Sequence, residues 1–173
     1  MSVRAEPAPD VHERLEHLAF LLGTWKGLGV VGYPTIEERN FEQEISFSHD
    51  GRPFLSYSSR TWLLNSDGTR DKPSGTEAGF WRPGEQPRDV EVVLAHPTGI
   101  VEVYVGEVAF SRIDLATDLV ARTGTAKPVT ALKRLYGLVD GDLAYAVDMA
   151  AVDQPLQAHV SARLQRQGSP TGS

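Results

Sequence analysis

An all-β fold, a closed antiparallel up-and-down barrel of about ten strands behind a short N-terminal helix, is what this sequence predicts. Three observations carry the reading. Beyond Gly23, apolar residues recur with a period near two for most of the chain, as in half-buried strands. Asp50-Gly51, Asp67-Gly68 and Asp140-Gly141, with Pro97-Thr98-Gly99 and Gly124, punctuate that alternation as hairpin turns do. Short strands at roughly 8–12-residue spacing fit a sandwich or a barrel. The choice falls to the barrel because one segment carries polar residues on both faces, Ser56, Ser58 and Arg60 against Ser59 and Thr61. A solvated or ligand-filled lumen accepts them, whereas a dry sandwich core would leave them unpaired.

Taken in order, residues 1–9 contain Pro7 and Pro9 among small or charged neighbours and have little to bury, so they are expected to be mobile. The same applies to the tail 168–173, leaving 10–167 as one domain. Asp10 and Glu13 have capping-box spacing, and Val11, Leu15, Leu18 and Leu22 recur at i, i+4, i+7 and i+11, one stripe of a 3.6-residue period, which predicts a helix ended by Gly23. Strands are then expected over 25–32, 41–47, 54–63, 79–82, 90–96, 100–105, 107–113, 115–122, 129–139, 143–151 and 159–166. Short connections imply that neighbours in sequence pair in space.

With 173 residues and 40% apolar content, the chain can build one substantial core. A net charge of -6 offers no overall attraction to phosphate backbones or anionic lipid, so neither nucleic acid nor a membrane is an expected partner. The apolar run 18–22 is too short to span a bilayer, and acidic residues precede it where a signal peptide carries basic ones; a cytoplasmic protein is expected. There are no cysteines, which excludes disulfides, iron–sulfur clusters, thiolate-ligated haem and Cys-zinc sites. A metal would have to be held by His, carboxylate or a cofactor.

Five histidines are present, His12, His17, His49, His96 and His159, none in a paired zinc-like spacing. His12, His17 and His49 read as solvated surface residues. His96 follows Val90, Val92 and Leu94 at even spacing and shares their apolar face. His159 alternates with Val160, Ala162 and Leu164 and falls on the other face, with Ser161 and Arg163. On burial statistics alone, both are ordinary satisfied histidines at a core or rim. Gly23, Trp25, Gly27 and Gly29 form a glycine-rich run at the helix–strand junction, suited to helix termination and to close approach of backbone to another element or a ligand. Phosphate cradling does not fit, because the run opens a strand and no Lys-Ser/Thr pair follows. No Gly-x-Ser-x-Gly elbow exists.

Gly23-Thr-Trp25-Lys-Gly27-Leu-Gly29, followed by Tyr33-Pro34-Thr35-Ile36, resembles the GxWxGxG signature and YPT segment of the nitrobindin family. The similarity extends through Gly51-Arg-Pro-Phe-Leu-Ser-Tyr57, Gly79-Phe-Trp-Arg82, the segment 93–102, Thr125-Ala-Lys127 and Gln154-Pro-Leu-Gln-Ala-His159, covering nearly all of 18–166. The resemblance implies a barrel related in shape to fatty-acid-binding proteins and lipocalins, holding one haem b in an open mouth. It implies that His159 is the proximal iron ligand, that Lys127 and Thr35 contact the haem at its propionates, and that His96 lies on the distal side. It further implies conversion of peroxynitrite to nitrate by ferric haem, with nitric oxide binding the same iron, in a monomer or homodimer. No protein side chain is required as a catalytic acid or base beyond the haem iron. Two other functions stay open: a nitric-oxide sensor or carrier without turnover, and a lipocalin-like carrier of an apolar molecule with no haem.

Overall fold

The computed structural model describes residues 8–168, and the expectations for 1–7 and 169–173 lie outside it. Ten antiparallel strands close into a barrel: β1 Gly23–Tyr33, β2 Ile36–Ser48, β3 Leu55–Leu64, β4 Arg70–Pro83, β5 Asp89–His96, β6 Ile100–Ala109, β7 Arg112–Arg122, β8 Val129–Val139, β9 Asp142–Ala151 and β10 Gln157–Arg166. Each pairs with its neighbour in sequence, and β1 pairs with β10 to complete the ring. The turn signals fall between strands, and Asp140 and Gly141 take the positive φ of 52° and 83° that a tight hairpin turn needs.

The N-terminal helix and the barrel are as expected, with three differences in detail. The helix is a 3₁₀-helix, Glu13–Leu21, whose buried residues are Leu15, Leu18 and Leu21. Their spacing of three matches its three residues per turn, so the predicted 3.6-residue stripe fails at both ends: Val11 is exposed and Leu22 lies beyond the helix. His12, not Asp10, caps it by accepting the Arg14 amide on Nδ1. The expected strand 107–113 contains a hairpin turn at Phe110 and Ser111, hidden in the sequence because Phe110, with φ 58° and 95% exposed, is not a turn former. Finally, β4 begins nine residues before the expected 79–82, through an exposed stretch holding Pro73 and Gly75.

The 3₁₀-helix seals one end of the barrel. Leu15, Leu18 and Leu21 are fully buried, Arg14 donates to the Gly84 carbonyl, and a His17 ring nitrogen bonds the Asp89 carbonyl at 2.9 Å. His17 is thus a clasp on β5 instead of a solvated residue, and His49 is half-buried, accepting the Gly51 amide. Trp25 donates to the Leu21 carbonyl, and the Arg166 guanidinium lies 4.2 Å from its ring centre. Above the plug, Phe47, Trp81 and Tyr136 pack edge to face at 5.1–5.4 Å between ring centres.

Gly27 and Gly29 explain the glycine-rich run. A Cβ on Gly27 would sit 2.1 Å from the Arg163 carbonyl oxygen, and one on Gly29 would meet Phe41, Ser161 and Ala162 inside 2.8 Å. These residues let β1 press against β10; what approaches is backbone and core, not a ligand. Gly27→Ala should therefore destabilise the fold by about 1–3 kcal/mol, the usual cost of overpacking, seen as a lower urea midpoint with unchanged slope.

Candidate functional site

The other end of the barrel is open. Strand direction brings there the C-terminal ends of β1 and β5, the N-terminal end of β10, and the turns β1–β2, β5–β6, β7–β8 and β9–β10. Beneath this mouth lies a cavity of about 500 Å³, a size suited to a small-molecule ligand. Apolar wall comes from Val31, Phe41, Leu132, Val147, Met149 and Val160.

His159 faces this cavity, against the strict alternation of its strand. The β9–β10 register slips between Ala158, opposite Asp148, and Val160, opposite Val147, so His159 is the extra residue of a β-bulge. The bulge rotates His159 inward, where it and Val160 both line the cavity. Its Nδ1–H donates to the Gly32 carbonyl at 2.9 Å, and Tyr33 packs against the ring at 5.6 Å between centres and 80°. The Tyr33 hydroxyl in turn donates to Met149 and accepts from the Ala151 amide. Burial depresses the His159 pKa below its usual value, against the hydrogen bond to Gly32, which raises it. The ring is therefore neutral at pH 7, with Nδ1 tied and the Nε2 lone pair free. An imidazole whose second nitrogen is fixed by a carbonyl is how protein structures orient a metal ligand, so this residue fits an axial bond to haem iron.

Lys127, in the β7–β8 loop, lines the cavity at its exposed rim. Thr35 is exposed in the β1–β2 turn and does not line the cavity; its neighbour Ile36 does. His96 lines the wall at the end of β5, five strands from β10 in either direction round the ring, and so opposite His159.

The cavity floor is a buried ionic cluster that sequence reasoning did not single out. Arg134, 5% exposed, bonds Glu77 Oε2 at 2.5 Å and Glu102 Oε1 at 3.2 Å through one terminal nitrogen. Its Nε donates to Tyr104 and its other terminal nitrogen to Tyr136 and Glu77. Tyr57 donates to Glu77, Tyr104 donates to Glu102, and His96 Nε2 lies 2.6 Å from Glu102 Oε2. Burial opposes ionisation of Glu77, but the charge and hydrogen bonds of Arg134 overcome it and hold the carboxyl at about 2. Burial likewise opposes ionisation of Glu102, and contacts with His96 and Arg134 outweigh it, so its pKa too is lowered. Glu77, His96 and Glu102 place three ligand atoms within 4.8 Å of one another. Arg134 already occupies the cationic position between the carboxylates, so the trio is an ion-pair cluster and not a metal centre. A second polar chain, Tyr145 to Gln43 to Ser59, completes the floor and accounts for the polar inward residue on β3.

A closed barrel sealed at one end, with a tethered imidazole in a largely apolar cavity at the other, defines a small-molecule-binding β-barrel with one histidine whose chemistry suits a metal. The chain belongs to the THAP4-like, heme-binding beta-barrel domain family, whose family model matches residues 14–166. It is 53% identical to a peroxynitrite isomerase of Frankia casuarinae over 164 residues, spanning 91% of this chain and 87% of that protein. It is 47% identical to a ferric nitrobindin-like protein of Kineococcus radiotolerans, spanning 91% and 95%. The crystal structure of Rv2717c from M. tuberculosis superposes with a TM-score of 0.82 at 42% identity, covering 92% of this chain and all of that one. The nitrobindin resemblance read from the motifs is the one these relatives carry.

Proposed function

We propose that the domain 10–167 binds one haem b through His159 and, in the ferric state, converts peroxynitrite to nitrate, with nitric oxide as a second ligand of the same site. The observation that carries this is the His159 imidazole, turned inward by a bulge and fixed by Gly32 with Nε2 free. Relatives named peroxynitrite isomerase at 53% and 50% identity support the reaction. When bound, the haem supplies an iron that takes up peroxynitrite and promotes its rearrangement. The chain supplies the rest. His159 would hold the iron through Nε2, and Tyr33 and Gly32 fix its ring orientation. Val31, Phe41, Val147 and Met149 shield one side of the cavity from water. Lys127 offers an ammonium to a propionate at the rim, a contact worth about 1 kcal/mol at such exposure. Thr35, exposed in the β1–β2 turn at the same open end, would stand near a propionate, and His96 would face the guest from the wall opposite His159. The open mouth lets water reach the metal and so favours the ferric state over reversible oxygen storage.

Among the described residues, no helix is long and apolar enough to cross a membrane. We take the protein to act in the cytoplasm on small molecules, as monomer or homodimer, without nucleic acid or membrane partners. The test is haem reconstitution followed by stopped-flow mixing with peroxynitrite. The ferric protein should accelerate its decay with nitrate as product. Reversible nitric oxide binding without acceleration would make it a sensor, and protein left colourless by haem would make it a carrier of another molecule.

A further inference from the structure

The floor cluster has unequal formal charges unless His96 is counted. Glu77 and Glu102 bring two negatives and Arg134 one positive, so the cluster balances only with an imidazolium at position 96. The contact from His96 Nε2 to Glu102 Oε2, 2.6 Å though not aligned as a hydrogen bond, requires a proton between the two atoms, and Arg134 beside Glu102 favours the carboxylate, which leaves that proton on the ring. No aligned hydrogen bond engages either ring nitrogen among the described residues, Nε2 being buried against the Glu102 carboxylate, and the ring, 19% exposed, lines the cavity. The Arg134 N–H groups are engaged by Tyr104, Tyr136, Glu77 and Glu102, which leaves His96 as the floor's available cation.

We propose that His96 is the positioning residue that makes this cavity select an anion: braced by Glu102 and Glu77, it presents Nδ1–H to a negatively charged guest held opposite His159. The inference rests on the haem reading for the guest's second anchor. Peroxynitrite and nitrate are anions and gain from this contact, whereas carbon monoxide and nitric oxide, being neutral, do not. The groups facing His96 are Glu77 from β4, Glu102 from β6 and Arg134 from β8, with Lys127 at the mouth. Burial works against the charged ring, but the hydrogen bond and charge of Glu102, and then the charge of Glu77, outweigh it and raise its pKa. As pH rises through that raised value the cluster gains a net negative charge, and anion affinity falls.

Azide titrations of the ferric, haem-loaded protein, followed at the Soret band from about pH 6 to about pH 9, test this. His96→Gln should weaken azide about tenfold at the acid end and flatten the decline with pH. Glu102→Gln keeps the ring and should move the decline to lower pH. Carbon monoxide binding to the ferrous protein should be nearly unchanged in both variants. Equal losses for azide and carbon monoxide, or a His96→Gln azide profile parallel to that of the wild type, would overturn the proposal. If the protein takes up no haem, the haem reading fails alone. The ring nitrogens of His96 in ligand-free protein then decide by NMR: a saturable nitrate-induced shift at Nδ1 supports anion recognition, and no shift ends it.

Discussion

Alanine in place of His159 is expected to abolish the Soret band that haem titration gives the wild type, while leaving the barrel folded. Loss of an outer-shell partner alone costs a metal site roughly 10–100-fold in affinity, and loss of the axial donor exceeds that. The wall opposite offers no equivalent neutral donor, because His96 is bound to Glu102. Stability should change by only about 1 kcal/mol, since the one hydrogen bond removed ends on the half-exposed Gly32 carbonyl. The depressed pKa of His159 fixes the sign of the acid response. The ring gives up its proton more readily than a free imidazole, so acid should release haem at a lower pH than an unperturbed histidine would allow. An undiminished Soret band in His159→Ala would mean another residue binds the iron.

Arg134→Met should be the most destabilising single change within the cavity floor. It leaves Glu77 and Glu102 buried without their cation, and breaking a buried pair from one side costs about 3–5 kcal/mol. Set against a total stability of about 5–15 kcal/mol, that is a large share, visible in urea unfolding. The pH dependence should reverse as well. In the wild type the Glu77 carboxyl is held at about 2 against 4.5 when free, so its stabilisation is complete above 4.5 and is lost as pH falls toward 2. In Arg134→Met, burial drives both carboxyls upward, and acidification relieves them, so mild acid should stabilise this variant. A variant that stays most stable at neutral pH would contradict the assigned role of Arg134.

The barrel was legible in the sequence because its physics is periodic: alternation and Asp-Gly turns both survive without any long-range information. β4 was not, since most of its first half is exposed and carries Pro73 and Gly75, so no buried face alternates there. The ionic floor was partly legible. Glu102 stands between Ile100 and Tyr104, and Arg134 between Leu132 and Tyr136, each a charge at an inward register position. A charge inside an apolar alternation is the signal of a buried partner, although which strands meet is decided only by closure of the ring. His159 shows the opposite case. Its family motif marked it, yet strict alternation placed it on the outer face, because a bulge is a property of two paired strands and leaves no mark in one.

The ring is also stitched unevenly. β7 and β8 share five paired positions, from Arg112 opposite Gly137 to Ala116 opposite Lys133, and then part; Thr117 bridges the split by bonding both the amide and the carbonyl of Leu132. Where interstrand ties are few, local opening requires least free energy, so this seam is the compliant line of the wall. A flat, rigid guest would be accommodated by widening there, on the side where Lys127 sits, while the sealed pole keeps its shape.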